Sequence, residues 1–215
     1  MNNPEVVDLL QEQRVPASVT HLGVSLRPGD SRPKIIGDLI QVRNSTRVII
    51  FCNTRIETSK LSLYLSGRGI PCEALHSDLS QFQREAALNG FRKGVTKVIT
   101  ATDVAARGID VPDCDLVIHS EPPGNGFEYY IHRSGRTGRA GKEGTSIVLF
   151  NRRSSREFLD ELENINVTLG PLQPPTQEEV IHLAVQAEIL VKPSSLSILE
   201  GDEPPINLNN QNHRK

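Results

Sequence analysis

The chain has 215 residues, long enough for one domain with a real core and an appendage. No apolar run reaches membrane-spanning length, and the start, MNNPEVVDLL, lacks the basic and apolar regions of a signal peptide, so a soluble intracellular protein without membrane association is expected. Cys52, Cys72 and Cys114 share no metal-ligand spacing and sit in or beside apolar runs, which predicts buried, reduced thiols and no metal site.

The formal charge of −2 conceals an asymmetry. Residues 1–156 hold 21 Lys and Arg against 16 Asp and Glu, whereas residues 157–203 hold one Lys against ten acids. A basic body followed by an acidic segment suits an anionic partner that binds the first part only.

Residues 1–19 read as a polar lead-in segment with a short helix at 4–13. A strand is expected over Thr20–Leu26, then a turn at Pro28-Gly29, then a helix over 33–43 with Ile35, Ile36, Leu39 and Ile40 on one face. RVIIFC at 47–52 is continuously apolar, as a strand covered on both faces requires. Thr54 with Glu57 and Ser80 with Gln83 form capping-box patterns, each opening a helix; the first should end at Gly67 or Gly69, the second at Lys93-Gly94.

Cys72–His76, Lys97–Ala101, Asp115–His119 and Thr145–Phe150 are further short strands, and a helix is expected at 126–134. The alternation predicts an α/β fold, a parallel sheet with helices on both faces over residues 20–165. Ligands of such sheets gather at the carboxyl ends of the strands, where Asn53-Thr54-Arg55, His76-Ser77-Asp78 and Thr102-Asp103 stand. Residues 166–192 read as a partly helical extension: Thr176 caps against Glu179, after prolines at 171, 174 and 175. Disorder is expected over 193–215.

The densest signal is HRSGRTGR at 132–139. Arg133, Arg136 and Arg139 recur every third residue with Gly135 and Gly138 between them, and no acid occurs from Tyr129 to Lys142. Glycine allows close backbone approach, and guanidinium donors match phosphate oxygens. Taken alone, the run fits a solvated basic face as well as a polyphosphate site.

RVIIFCNTR at 47–55, ATDVAARGID at 101–110 and YIHRSGRTGRAG at 130–141 stand in fixed order on one βα scaffold. Together they closely resemble motifs IV, V and VI in the second RecA-like domain of DEAD-box RNA helicases. The resemblance spans residues 20–165. With HRSGRTGRAG and the later PPTQEEVI, the chain most resembles Gu-type nucleolar helicases and their bacterial and organellar relatives.

The resemblance implies an ATP-dependent RNA helicase in which Arg136 and Arg139 reach the γ-phosphate of ATP, Arg139 as the arginine finger. It implies that His132 contacts the first domain across the cleft, that Asp110 binds the ribose, and that Arg133 pairs with an acid such as Asp103. It places Thr54, Arg55, Gln81, Arg84, Thr102 and the Gly108 backbone on the RNA side, gripping sugar and phosphate without base stacking. For His132 a local helix-end bond, and for Asp110 a turn role before Pro112, are the plain alternatives. Most relatives carry Gly where Ser77 stands, close to the RNA path.

The chain has no G-x-x-x-x-G-K-[ST] loop, D-E-A-D or Ser-Ala-Thr motif. Those belong to the first RecA-like domain, which is expected to precede Met1 and to hold ATP with Mg²⁺; this chain alone is then inactive. The alternative is a stand-alone RNA-binding or regulatory module. Residues 171–192 could serve dimerisation or a protein partner, or Val180–Val191 could simply be a helix packed on the body. The resemblance favours a nuclear or nucleolar home, with mitochondrion and plastid open.

Overall fold

The computed structural model describes residues 17–106, 113–139 and 141–191. β1 (Val19–Ser25) leads into α1 (Arg32–Arg43), which Pro33 opens and Asn44, in the left-handed region at φ 47°, closes. Then follow β2 (Val48–Phe51), α2 (Arg55–Gly67), β3 (Cys72–Leu75), α3 (Gln81–Arg92), β4 (Val98–Ala101) and α4 (Asp103–Ala106). β5 (Leu116–His119), α5 (Phe127–Ser134), β6 (Gly144–Phe150), α6 (Arg156–Asn164), β7 (Gly170–Pro171) and α7 (Gln177–Val191) complete the order.

The seven strands form one sheet in the order β3-β4-β2-β5-β6-β1-β7, with every pairing parallel. Alternate residues of each strand feed two cores. Val48, Ile50, Val98, Ile118 and Ile147 pack with Ile36 and Leu39 of α1 and Leu61 and Leu65 of α2. Ile49, Phe51, Ile99 and Val117 pack with Leu88 and Phe91 of α3 and the alanines of α4, while Val148 and Phe150 meet Tyr130, Phe158 and Leu162 from α5 and α6. β2, β4 and β5 are buried at every residue, which is why they read as unbroken apolar runs. This is the expected α/β, RecA-like layering.

Three local expectations change. Thr54 does accept a hydrogen bond from the Glu57 amide at 3.1 Å, but the Glu57 side chain does not return it. It accepts instead from Ser120 Oγ at 2.9 Å, beside Arg32, so a one-sided cap replaces the capping box. The box at Ser80 and Gln83 is complete, as is the reciprocal pair at Thr176 and Glu179. Two short elements lay outside the expected list, α4 and β7; β7 adds an edge strand beside β1, and α7 packs against α1. The expected helix at 4–13 and the tail at 193–215 lie outside the described residues.

The three cysteines are free and buried, and burial raises their thiols to about 12, 11 and 12 for Cys52, Cys72 and Cys114, so they stay protonated. Two histidines are also held neutral between the sheet and α5. His21 Nδ1 shares a 2.7 Å hydrogen bond with the Tyr130 hydroxyl, and the His119 ring stacks on Tyr130 at 4.6 Å while its Nε2 meets Ser146 Oγ at 3.1 Å. Desolvation lowers His21 to about 4 and holds His119 well below the ordinary histidine value, with Arg133 adding repulsion.

A folded pKa below the unfolded value of 6.5 gives stability that is complete above pH 6.5 and lost as pH falls toward the folded value. Stability should therefore drop by about 2 kcal/mol from His21 alone between pH 7 and pH 5, above the ordinary carboxylate range. Urea unfolding across that window checks this, and His21→Gln should flatten the slope; an unchanged slope would remove His21 as its source.

Candidate nucleotide and nucleic-acid interface

The carboxyl ends of β2, β4 and β3 carry Asn53-Thr54-Arg55, Thr102-Asp103 and His76-Ser77-Asp78, as the parallel order requires. Thr54 caps α2 and is exposed, and Arg55 pairs with Asp78. Thr102 is buried at the start of α4, where its carbonyl accepts from the Ala105 and Ala106 amides at 3.1 and 3.0 Å. Gln81 donates to Glu85 on α3. Arg84 reaches across to the Ala105 carbonyl at 3.4 Å, and its buried Nε has no partner among the described residues.

Ser77 is exposed in the turn after β3, and its φ is not positive. A glycine there is not demanded by backbone conformation, so the serine is accommodated without strain.

The three arginines of the glycine-arginine run, alike in sequence, separate into distinct environments. Arg133 is only 2% exposed. Its Nε and Nη2 form a bidentate pair with Asp103 at 2.7 and 2.6 Å, Nη2 also donates to Asn53 Oδ1 at 2.9 Å, and the guanidinium lies 5.3 Å from the Phe51 ring centroid. One side chain therefore ties α5 to the ends of β2 and β4. The expected Arg133–Asp103 pairing is present.

Arg136 is half-buried and Arg139 exposed, and neither has an ion pair among the described residues. Burial, then the neighbouring Arg139, lowers the Arg136 pKa from its ordinary value. Arg139 Nε donates to the Gly135 carbonyl at 2.7 Å, which fixes one edge of the guanidinium. Arg136 lines a cleft of about 260 Å³ with His132, Arg133, Asp103, Tyr129, Phe51 and Ala106. His132 is exposed on the last turn of α5. Two uncompensated guanidiniums, held as neighbours beside a cleft, have the chemistry to receive a polyphosphate.

The loop that carries them is seated by glycine. Gly138, at φ 70°, lies against Ser18 and Val19, and Ser18 Oγ donates to its carbonyl at 2.7 Å. Thr137 Oγ1 donates to the Cys114 carbonyl at 2.5 Å. A Cβ on Gly144 would collide with Thr137 Oγ1 and come within 2.5 Å of the Gly138 nitrogen. Gly144→Ala should accordingly cost about 1–3 kcal/mol by overpacking and lower Tm by several degrees, about 2–4 °C per kcal/mol. Thermal unfolding of the variant checks this, and an unchanged Tm would show that the loop yields freely.

Of the sequence-predicted residues, His132 and Arg136 share the cleft, with Arg139 beside Arg136. Thr54, Arg55, Gln81, Arg84 and Thr102 stand at the ends of β2 and β4 and in the first turns of α2 and α3. Asp110 and Gly108 lie outside the described residues. Sequence reasoning missed the cluster of Arg32, Glu57, Ser120 and Glu121. There Arg32 meets Glu121 at 3.4 Å, and burial and the Glu57 charge raise the Glu121 pKa. No signal in the sequence joins residues so far apart.

The profile of the helicase conserved C-terminal domain matches residues 31–141. The DEAD-box ATP-dependent RNA helicase 9 of Oryza sativa subsp. japonica is 43% identical over 159 residues, 73% of this chain and 25% of that protein. The ATP-dependent RNA helicase DDX50 of Homo sapiens is 38% identical over 181 residues, 82% of this chain and 24% of that protein. Among solved structures, S. cerevisiae Dbp5 bound to RNA and ADP BeF3 superposes with a TM-score of 0.68 at 27% identity, over 80% of this chain and 46% of that one. The chain thus spans about a quarter of the length of the relatives it matches. It belongs to the helicase conserved C-terminal domain family, as the second RecA-like domain of a DEAD-box helicase.

Proposed function

We propose that this domain works as half of an ATP-dependent RNA helicase, closing with a first RecA-like domain on ATP and single-stranded RNA. The observation that carries this is the division of labour among the three arginines. Arg133 is consumed by Asp103 and Asn53, whereas Arg136, which lines the His132 cleft, and its neighbour Arg139 have no carboxylate partner among the described residues. Phosphoryl transfer spreads charge over equatorial oxygens, and preorganised guanidiniums stabilise it as it develops. The first domain would supply the phosphate cradle and hold Mg²⁺.

On the RNA side, Thr54, Arg55, Gln81, Arg84 and Thr102 supply hydroxyl, amide and guanidinium groups at helix starts, suited to phosphate and sugar and blind to sequence. Asp110 would take the ribose and Gly108 the RNA backbone. Closure bends one strand and separates a short duplex; hydrolysis reopens the cleft, so ATP selects the closed state. That the relative Dbp5 was solved with RNA and ADP BeF3 supports this reading. Residues 171–192 offer a further surface for a protein partner or second copy, since Ile181 and Val185 of α7 are about half exposed, at 53% and 49%. The deciding experiment is ATP turnover by the two-domain protein with and without Arg139.

A further inference from the structure

We propose that Phe82 is an aromatic platform on which one base of the bound RNA strand stacks, a base-contacting subsite at the β3 edge of the sheet. The inference rests on the RNA-side reading above and adds a base contact to a grip otherwise confined to sugar and phosphate.

Phe82 is 80% exposed, the most exposed large apolar side chain among the described residues. Its place on α3 explains why it contributes nothing to the core. Ala87, Leu88 and Phe91 form the buried face, and Phe82 lies nine residues before Phe91, half a turn out of phase. The complete capping box at Ser80 and Gln83 fixes the first turn, so the ring is presented from a rigid helix start.

The surroundings suit a nucleotide. Gln81 precedes the ring and Arg84 follows it by two residues, with its buried Nε unpartnered among the described residues. Arg84 also joins the first turn of α3 to α4 through the Ala105 carbonyl, and α4 presents a second exposed apolar residue, Val104 at 70%. Guanidinium and amide donors for phosphate, interleaved with exposed apolar side chains at two adjoining helix starts, form the pattern of a single-strand site, where aromatic faces accept any base.

The sequence contains no tryptophan, so Phe82→Trp installs a unique reporter. The full chain carrying it would be titrated at low salt with a single-stranded oligoadenylate and with an abasic ribose-phosphate strand of equal length. Binding is followed separately by anisotropy of an end label. Stacking predicts that oligoadenylate quenches the tryptophan emission while the abasic strand binds without quenching. Phe82→Ala should weaken oligoadenylate binding roughly 5- to 100-fold and leave abasic binding unchanged. RNA that binds without altering the emission, or equal quenching by both strands, overturns the base platform and leaves the backbone grip standing. Failure of the unsubstituted chain to bind either strand overturns the base platform, whereas the backbone grip then stands or falls with RNA binding by the two-domain protein in the presence of ATP.

Discussion

Arg139→Ala in the two-domain protein is expected to abolish RNA-stimulated ATP hydrolysis while sparing most RNA binding. An arginine finger is worth about 10³–10⁵ in rate, or about 4–7 kcal/mol of transition-state stabilisation. The structure supports so large an effect because Arg139 makes no ion pair among the described residues; it donates only its Nε, to the Gly135 carbonyl. Its removal leaves no buried acid behind and unties no strand, so the loss should fall on the chemical step, and Tm should stay within about 1 °C.

Arg139→Lys should rescue little, because an ammonium cannot reproduce planar, bidentate contact with phosphate oxygens. Near-normal turnover of the alanine variant would end the finger assignment and leave Arg136 as the sole candidate. A parallel loss of RNA affinity would instead place Arg139 in the nucleic-acid grip. Turnover and RNA affinity, measured on the same preparation, separate the three outcomes.

The scaffold was legible in the sequence where local signals and burial agree. Strands buried on both faces announce themselves as VIIF, VITA and LVIH, and capped helices between them leave little choice but a parallel sheet. Legibility failed where an element is too short to have a period. α4 has four residues, and β7 is two residues with a proline, held at the sheet edge by β1.

It failed again where composition hides context. Glu57 sits at the capping-box position yet turns to Ser120 and Arg32, because tertiary partners outbid the local amide. Phe82 and Phe91 are the same residue type on one helix, but only the packed structure shows one buried and the other bare. Among the three evenly spaced arginines, nothing local marks Arg133 as the paired one; its acid partner lies 30 residues away. The family resemblance supplied that pairing, and the geometry supplies its reason.

That reason predicts the second large effect, at Arg133. Removing one partner of a buried ion pair strands the other, at a cost of about 3–5 kcal/mol. Asp103 retains 16% side-chain exposure, so water can relieve part of the penalty, and Arg133→Met should destabilise by about 3 kcal/mol. At about 2–4 °C per kcal/mol, Tm should fall by roughly 6–12 °C. Arg133→Lys should recover only part, since one ammonium cannot hold both Asp103 oxygens and Asn53 while lying over the Phe51 ring. Adding Asp103→Asn to Arg133→Met removes the stranded charge, so the double variant should be more stable than the sum of the single losses implies. A Tm change under about 2 °C for Arg133→Met, or strict additivity in the pair, would show that the clamp does not hold the strand ends together. Turnover should fall with stability here, because α5 runs from Arg133 directly into the loop that aims Arg136 and Arg139. That coupling distinguishes Arg133 from Arg139, whose loss should leave Tm untouched.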